Sequence, residues 1–472
     1  MQTDEQNPHP ILTGLFLALV FWLPIPLGSN RVWAWSIMEV WIFSIAICVL
    51  YQAYRSRLTV PESVSVAKPV IILLATFLAW TAIQMIPLPI TVLKLISPHA
   101  AALALASGNA AYASIAIDTN LTAQALLKGF AYMTIMMLML VLIDNHKRVR
   151  WFAYTVLVGG LFQAAYGTYM VLSGIEYTFF IEKEAYRGLA TGTFINRNHL
   201  AGYLEMALAI GIGLMISTLT NDRSHHWRHR LRSLIDTLLS NKAFIRLSLI
   251  VVCTGLILTK SRMGNTAFFS SLFITGILFL FTARHATRST IIFLISLIVL
   301  DILLIGSWVG VGQVVHRIET TSMVAEKRFE VARDTLTMIR EQPFTGIGGG
   351  NYFSTFPNYQ QLDIWDNYYH AHNDYLEFLS EYGLIGIALL AATVLYALLF
   401  AFKAMRRRHS PLMQGMAFAS FMGITSILIH SSVDFNMQIP ANAAMFMLLM
   451  GLAIISASMT QKQTKHLSSN LR

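Results

Sequence analysis

Residues 368–402 read YYHAHNDYLEFLSEYGLIGIALLAATVLYALLFAF, and in this stretch the chain passes from a polar to an apolar character. The part before Gly383 carries two histidines and several carboxylates, whereas the part after it is almost entirely apolar. About 20 consecutive apolar residues are enough to cross the hydrocarbon core of a bilayer as an α-helix. The stretch therefore predicts a membrane helix that follows a polar loop with candidate catalytic residues.

The composition of the whole chain agrees with a membrane protein. Apolar residues make up 55% of the sequence and charged residues 12%, whereas soluble domains carry about 25% charged residues. The formal net charge of +10 is compatible with nucleic-acid binding. However, the basic residues cluster in short loops between apolar runs, as orientation signals do. We therefore expect an all-α polytopic membrane protein that does not bind nucleic acid.

Twelve apolar segments are long enough to form membrane helices. They predict a single membrane domain over residues 1–472 with one sizeable insertion, the polar loop 310–382 between the ninth and tenth helices. The twelve predicted segments are 11–27, 33–53, 69–88, 122–143, 151–172, 198–218, 244–259, 264–283, 290–309, 383–402, 412–431 and 440–459.

The loops between these segments predict the orientation of the chain. Seventeen Lys and Arg residues lie in five alternate loops, within 55–68, 147–150, 223–242, 284–288 and 403–408. Short loops rich in Lys and Arg stay in the cytoplasm. Both termini are therefore expected in the cytoplasm. Loop 310–382 is expected on the opposite side, which is the periplasm in a bacterium.

The polar loop has predicted structure of its own. Residues 326–340 place apolar side chains at helical spacing with charges opposite, which predicts an amphipathic helix. The Pro- and Gly-rich run EQPFTGIGGGNY at 341–352 cannot continue that helix. A nucleotide-binding loop is excluded because the glycines follow a helix instead of a strand. They are expected to let the backbone turn tightly or approach a sugar closely.

The end of the polar loop holds the candidates for proton transfer. A neutral histidine can accept a proton from a hydroxyl group near pH 7, so His370 and His372 are candidate general bases. Asn373 and Asp374 are candidates for orienting the ring or binding a sugar. The two histidines could also bind a metal with Asp366 and Asp374. Their spacing matches no strong ligand motif, so we expect no metal.

Two further ionisable residues are expected on the same side of the membrane, where the eleventh segment ends. They lie in HSSVDFNMQIP, residues 430–440, and are His430 and Asp434. They are candidates for positioning the loop or the acceptor, with simple capping of the helix as the alternative.

Several cationic residues do not follow the orientation rule. Arg187 and Arg197 flank the sixth segment, and Lys260 and Arg262 lie where the seventh and eighth segments nearly meet. An Arg in or beside the bilayer is costly unless it is paired or solvated. Arginine side chains bind diphosphate through paired, charge-assisted hydrogen bonds. The predicted topology brings these groups to one face as a candidate anion site. Ion pairs with nearby glutamates or contacts with lipid headgroups are the alternative.

Five stretches in order resemble the family of O-antigen ligases and polymerases, which are bacterial inner-membrane glycosyltransferases. Together they cover the chain from about residue 187 to 440. They are RGLATGTFINRNHLAGYL, LTKSRMGN, RFEVARDTLTMIREQPFTGIGGGNYF, AHNDYLEFLSEYGLIG and HSSVDFNMQIP.

This resemblance implies a GT-C-like fold of about twelve helices, with a periplasmic loop that closes over a cavity open to lipid. It implies transfer of a glycan from undecaprenyl diphosphate to an acceptor hydroxyl, with inversion and without a metal or other cofactor. His372 matches the essential loop histidine of the family. The diphosphate-binding arginines match Arg187 and Arg262, with Arg328 and Arg197 as weaker matches.

The acceptor is not fixed by the resemblance. Ligation to the lipid A core is favoured over polymerisation on another lipid-linked glycan, and transfer to protein is ranked last. A transporter or flippase is the alternative from another class. That class is expected to show repeated halves and mid-membrane broken helices, and the sequence shows no repeat. A non-catalytic scaffold would leave His372 without a role.

Overall fold

The computed structural model describes residues 10–55, 60–108, 111–219, 241–284, 287–308, 314–361 and 368–459. Both chain ends, whose cytoplasmic position is predicted above, lie outside these residues. The same holds for most of the basic loop 223–242 and for Asp366, the candidate metal ligand. Within residues 300–327 only the backbone is described.

A helix coincides with each of the twelve predicted apolar segments. In chain order the described helices are α1 Pro10–Trp22, α2 Val32–Tyr54, α3 Glu62–Val66, α4 Lys68–Ile83, α5 Ile90–Ile96, α6 Pro98–Ala106, α7 Thr119–Leu142, α8 His146–Ser173, α9 Arg197–Thr218, α10 Asn241–Leu258, α11 Arg262–Thr282, α12 Arg288–Trp308, α13 Val314–Glu341, α14 Tyr352–Thr355, α15 Asp374–Arg407, α16 Pro411–His430 and α17 Pro440–Ser458.

The chain is an all-α polytopic membrane protein, as predicted. Among the described residues, eight helices are long and apolar enough to cross a membrane, and three shorter helices are apolar as well. The number of twelve crossings stays a prediction. The described strands form two short antiparallel pairs, β1 Leu88–Pro89 with β2 Tyr112–Ala113 and β3 Tyr177–Thr178 with β4 Ile181–Glu182.

Two helices end earlier than their apolar segments because prolines follow. Helix α1 ends at Trp22, before Pro24 and Pro26, although the apolar run continues to residue 27. Helix α4 ends at Ile83, before Pro87. Proline lacks the amide hydrogen and clashes with the preceding turn, so a helix does not continue through it. Apolar character alone therefore overestimated both lengths.

Helices α9, α16 and α17 form the buried centre of the bundle. Their side chains are almost all buried, whereas most of the other apolar helices have an exposed face. Helices α9 and α16 approach closely because glycine faces glycine: a Cβ added to Gly213 would lie 2.2 Å from the carbonyl oxygen of Gly415. Small residues at such a crossing bring two backbones together within a membrane.

The Gly-rich run after α13 turns tightly, as the sequence predicts. Helix α13 ends at Glu341, and Gly346, Gly348 and Gly350 all have positive φ. A Cβ on Gly346 would lie 2.3 Å from the carbonyl oxygen of Glu381, so the backbone packs directly against α15. Helix α15 bends at Gly383, where φ is 64°. This bend separates its polar first part from its apolar remainder.

Candidate active site

His372 lies in a short turn of the polar loop, directly before helix α15. Its φ is 50°, a left-handed conformation that is uncommon for residues other than glycine. The ring meets Tyr368 and Phe435 edge to face, with centroids 6.1 Å and 4.9 Å away. Within the described part of the chain, its buried Nδ1 has no hydrogen-bond partner. The turn thus holds a half-buried imidazole with one unpaired ring nitrogen.

The surroundings of His372 favour its neutral form. Burial lowers the pKa of the His372 imidazole, and the positive charge of Arg328 lowers it further. The negative charges of Asp434 and Glu377 oppose this shift without cancelling it. A neutral imidazole is the form that can accept a proton. The arrangement therefore suits a general base at neutral pH.

His370 is bound by a carboxylate that the sequence analysis did not select. Its Nδ1 lies 2.7 Å from Oε1 of Glu377, and the backbone N–H of Ala371 donates to Oε2 of the same carboxylate at 2.9 Å. The Glu377 side chain is almost fully buried, whereas that of His370 is 29% exposed. One carboxylate thus holds the two residues that precede His372.

Asn373 and Asp374 bind backbone and side-chain groups of residues 431–437 and do not pair with the His372 ring. The Asn373 side chain caps α15 by accepting from Leu376 N–H at 3.1 Å and donates to the carbonyl of Ser432 at 2.8 Å. Oδ2 of Asp374 accepts from the Ser431 hydroxyl at 2.7 Å and from the Met437 N–H at 3.0 Å. Both side chains fix the segment 431–437 against the start of α15.

Phe435, in the middle of that segment, contacts three histidines. Its ring stacks on His370 at 4.3 Å with an interplanar angle of 20°. It meets the rings of His199 and His372 edge to face, at 4.6 Å and 4.9 Å. Aromatic pairs in these geometries add to stability beyond simple burial. Phe435 therefore sets the relative positions of the three imidazoles.

Asp434 supplies the negative charge within this group. Its Oδ1 lies 3.8 Å from Nε2 of His199, on the first turn of α9. Burial raises the pKa of the Asp434 carboxyl. The neighbouring imidazoles of His199, His430 and His372 and the N–H of Phe435 together outweigh that effect and lower the pKa below its ordinary value. Asp434 is thus held as a carboxylate beside the imidazoles.

His430, the last residue of α16, is buried deeper in the bundle. Its Nδ1 lies 2.7 Å from Oε1 of Glu205 on α9, and both side chains are completely buried. The Ser426 hydroxyl donates to Oε2 of Glu205 at 2.7 Å. His430 directly precedes the segment 431–437, so this buried contact with Glu205 anchors one end of the segment that carries Asp434 and Phe435.

Arg328 and Arg197 lie at the same end of the bundle as His372. The Arg328 Nη1 donates to the carbonyl of Val433 at 3.3 Å. The Arg197 guanidinium lies 5.9 Å from the ring centroid of Tyr186, a cation–π contact. Its buried Nε has no hydrogen-bond partner among the described residues. Arg328 also acts electrostatically on Tyr186, so the two cations approach one tyrosine from different parts of the chain.

Arg187 extends from a tightly held loop and is mostly exposed. It donates to Oε1 of Glu182 at 2.9 Å and to the carbonyl of Lys183 at 2.9 Å. Glu176 fixes this loop by accepting from Lys183 Nζ at 2.8 Å and from Gly188 N–H at 2.7 Å. The ion pair with Glu182 is the alternative role weighed from the sequence. A diphosphate that binds Arg187 would have to displace the Glu182 carboxylate or bind the guanidinium beside it.

Arg262 is the first residue of α11, and its side chain is exposed. The preceding residue, Ser261, caps the helix by accepting from the Gly264 N–H at 3.2 Å. The end of α10 meets the loop of Arg187, because the Ala190 N–H donates to the carbonyl of Leu258 at 3.0 Å. The structure therefore brings the segments of Arg187 and Arg262 to the same end of the bundle.

The residues that sequence reasoning missed are Glu377, Phe435 and His199. Each lies within or beside a motif used above, but its role depends on contacts between distant segments. In the described part of the chain, no three His, Cys, Asp or Glu side chains are grouped so as to hold a metal ion.

Comparison with known protein families adds one finding. Residues 247–391 match the family model described as O-antigen ligase. The matched range covers less than half of the chain and contains Arg262, Arg328, His370 and His372, together with Glu377. It supports the predicted family. A search of curated proteins finds no match.

Proposed function

We propose that this chain, whose residues 247–391 match the O-antigen ligase family, transfers a glycan from undecaprenyl diphosphate to an acceptor hydroxyl at the His372 end of its helix bundle. That end faces the periplasm in this proposal, with the protein in the bacterial inner membrane and both termini in the cytoplasm. The observation that carries the proposal is the half-buried His372. It has an unpaired Nδ1 and lies within the electrostatic reach of Arg328 and Asp434.

His372 is the general base of the proposed reaction. It takes the proton of the acceptor hydroxyl while the acceptor oxygen bonds to the anomeric carbon of the donor glycan. The bond from that carbon to the diphosphate oxygen breaks on the opposite face, and its electron pair leaves with undecaprenyl diphosphate. The configuration at the anomeric carbon is inverted. A positioned general base contributes roughly 10²- to 10⁴-fold to a rate.

In this proposal the arginines bind the diphosphate of the leaving group. Among these arginines, Arg328 is the one whose charge lowers the pKa of His372. Arg187, Arg197 and Arg262 extend the cationic surface at the same end. Fixed cations stabilise the charge that develops on a phosphate leaving group. No metal ion or other cofactor is required in this proposal.

The remaining polar residues position the base. Glu377 fixes His370 and Ala371, and Asn373 and Asp374 bind the segment 431–437 to helix α15. Phe435 then holds His370 and His372 from the other side. Precise positioning is an effective source of catalysis when the leaving group is already good.

The favoured acceptor is the lipid A core, which makes the protein a ligase of lipopolysaccharide biosynthesis. A polymerase that lengthens a lipid-linked polysaccharide would use the same chemistry. The test uses purified protein in detergent with a synthetic undecaprenyl-diphosphate-linked glycan, and lipid A core as the acceptor, in the presence of EDTA. Transfer to lipid A core supports the ligase. Lengthening of the lipid-linked glycan alone identifies a polymerase.

Arginine variants test the proposed diphosphate site in the same assay. Arg328→Ala and Arg262→Ala are expected to lower the transfer rate at least ten-fold. Arg333→Ala is the matched control, because Arg333 lies on the same helix as Arg328 but pairs with Asp334. Absence of any glycan transfer by the folded wild type would contradict the proposed function and favour a transporter.

A further inference from the structure

Two aromatic rings stack on each other at the surface beside the candidate base. The rings of Phe353 and Tyr369 have centroids 4.4 Å apart and an interplanar angle of 9°. They are 44% and 62% exposed, respectively. Within such a stack each ring covers one face of the other and leaves its second face open. The pair therefore presents flat, exposed aromatic surface.

The stack lies close to His372. Tyr369 precedes His372 by three residues, so their Cα atoms are at most about 11 Å apart. Tyr369 lies in the chain between Tyr368, whose ring contacts His372, and His370, whose ring lies on Phe435. The stack is therefore attached directly to the residues whose rings surround the base.

The fold holds Phe353 in place through its neighbour. Tyr352 is fully buried, shares a hydrogen bond with the Thr335 hydroxyl at 2.8 Å, and stacks on Phe356 at 5.1 Å. Those contacts anchor the short helix α14 without using the Phe353 ring. Contiguous exposed apolar surface with polar residues at its edge is a feature of ligand-binding sites.

The surroundings distinguish this surface from one that faces lipid. The hairpin of β3 and β4 also exposes aromatic rings, but its neighbours Ile175 and Ile181 are exposed apolar residues. Around Phe353 the apolar neighbours Tyr352 and Phe356 are buried, and the exposed residues that follow it include the polar Ser354 and Asn358. The stack is therefore an aromatic surface set in a polar environment.

We propose that Phe353 and Tyr369 form a glycan-binding subsite that stacks a sugar ring of one of the two substrates beside His372. The inference rests on the proposed function, because it takes the substrates to be glycans. The face of an aromatic ring carries partial negative charge. The C–H groups on one face of a pyranose carry partial positive charge and present an apolar surface, so the two faces are complementary.

A kinetic test separates the two possible sources of the sugar ring. KM and kcat are measured for Phe353→Ala and Tyr369→Ala, first with the donor varied and then with the acceptor varied. Stacking that is equal in the ground state and the transition state raises KM and leaves kcat unchanged. The expected rise is about ten-fold, which corresponds to about 1.4 kcal/mol. The substrate whose KM rises is the one bound.

Conservative and control variants make the result specific. Tyr369→Phe keeps the aromatic face and is expected to keep the wild-type KM. Phe329→Ala removes a 73% exposed aromatic ring from helix α13 and is the matched control, also with unchanged KM. Unchanged KM for both substrates in both stack variants would overturn the subsite, as would a fall in kcat alone.

A binding measurement keeps this inference separate from the proposed function. Mild acid releases the free oligosaccharide from the synthetic donor, and saturation-transfer NMR detects its contact with the purified protein. Binding by the wild type that is lost in Tyr369→Ala supports the subsite, even if no transfer is detected and the proposed function fails. Equal saturation transfer in both proteins would overturn the subsite, even if transfer is detected.

Discussion

Two histidine–carboxylate pairs with the same distance between nitrogen and oxygen lie in different environments of this protein. His430 and Glu205 are 2.7 Å apart and completely buried between α16 and α9. His370 and Glu377 are also 2.7 Å apart, but the His370 ring is 29% exposed at the end of the bundle. Residues 431–437 connect them, because this segment begins after His430 and places Phe435 on His370. The same contact thus serves the fold in one place and the candidate site in the other.

The environment explains the difference. A buried pair of ionisable groups gives little net stability, but removal of one partner leaves the other inside the protein without compensation. A partly exposed pair can exchange its contacts with water, so its loss is less damaging to the fold. We therefore expect changes in the deep pair to affect stability first, and changes in the outer pair to affect transfer.

The largest effect is expected from His430→Ala. This substitution leaves Glu205 buried without its partner, which costs about 3–5 kcal/mol of stability. Thermal unfolding in detergent should show a clearly lower Tm. Ser426→Ala, which removes one neutral donor from the same carboxylate, should cost only about 1 kcal/mol. Equal Tm values for the wild type and His430→Ala would show that the deep pair does not hold the bundle.

Glu377→Gln is expected to lower kcat roughly ten-fold with a small change in Tm, because the charge that binds His370 is lost while the shape is kept. The transfer assay at saturating donor and acceptor measures this. Glu341→Gln is the matched control, since Glu341 also pairs with a histidine, His99, at 3.2 Å. A large fall in Tm with unchanged kcat would make Glu377 a structural residue and remove the contrast with Glu205.

Phe435→Leu tests the connection between the two pairs. The leucine keeps an apolar side chain but loses the ring that meets three imidazoles. Each aromatic contact is worth about 0.5–1.5 kcal/mol, so we expect kcat to fall about five-fold. Tyr375→Leu, which changes an exposed ring on α15, should leave kcat unchanged. Equal loss in both variants would show that the Phe435 contacts have no specific role.

The smallest expected effect is a shift in the pH dependence of kcat/KM, which reports the pKa values of the free enzyme. Because the pKa of His372 is lowered below its ordinary value of 6.5, the neutral base persists in mildly acidic solution. The acid limb of the profile should therefore lie below pH 6.5. Arg328→Gln removes a cation that lowers this pKa, so the limb should move to higher pH. Glu377→Gln removes an anion that raises it, so the limb should move to lower pH.

A shift of the acid limb in the same direction in both variants, Arg328→Gln and Glu377→Gln, would contradict this account of the charges around His372. The groups that act on the ring come from three segments: Asp434, Arg328, and His370 with Glu377. The opposite signs of the two expected shifts make the test independent of the absolute pH optimum.

The sequence was sufficient to predict the helical membrane architecture. Each apolar segment coincides with a helix because about 20 apolar residues can satisfy their backbone groups in lipid only by forming one. The helix predicted over 326–340 extends over Val314–Glu341. The prolines after α1 and α4 were visible in the sequence, and local backbone chemistry would have corrected those two boundaries.

The partners of the candidate base were harder to predict. Asp374 lies two residues from His372 and was a natural choice, but it faces Ser431 and Met437. Glu377, one helical turn later, faces His370 instead. Which carboxylate of the first turn meets the imidazoles depends on how the loop enters α15 and on the position of residues 431–437. Sequence spacing contains neither piece of information.

The most direct test of the proposed site is the single-turnover rate of glycan transfer by His372→Ala, measured with Tm on the same preparation. His99→Ala is the control, because His99 is also a partly exposed histidine but pairs with Glu341. The account predicts a rate roughly 10²- to 10⁴-fold below that of the wild type for His372→Ala, with unchanged Tm and a full rate for His99→Ala. An undiminished rate in folded His372→Ala would contradict it.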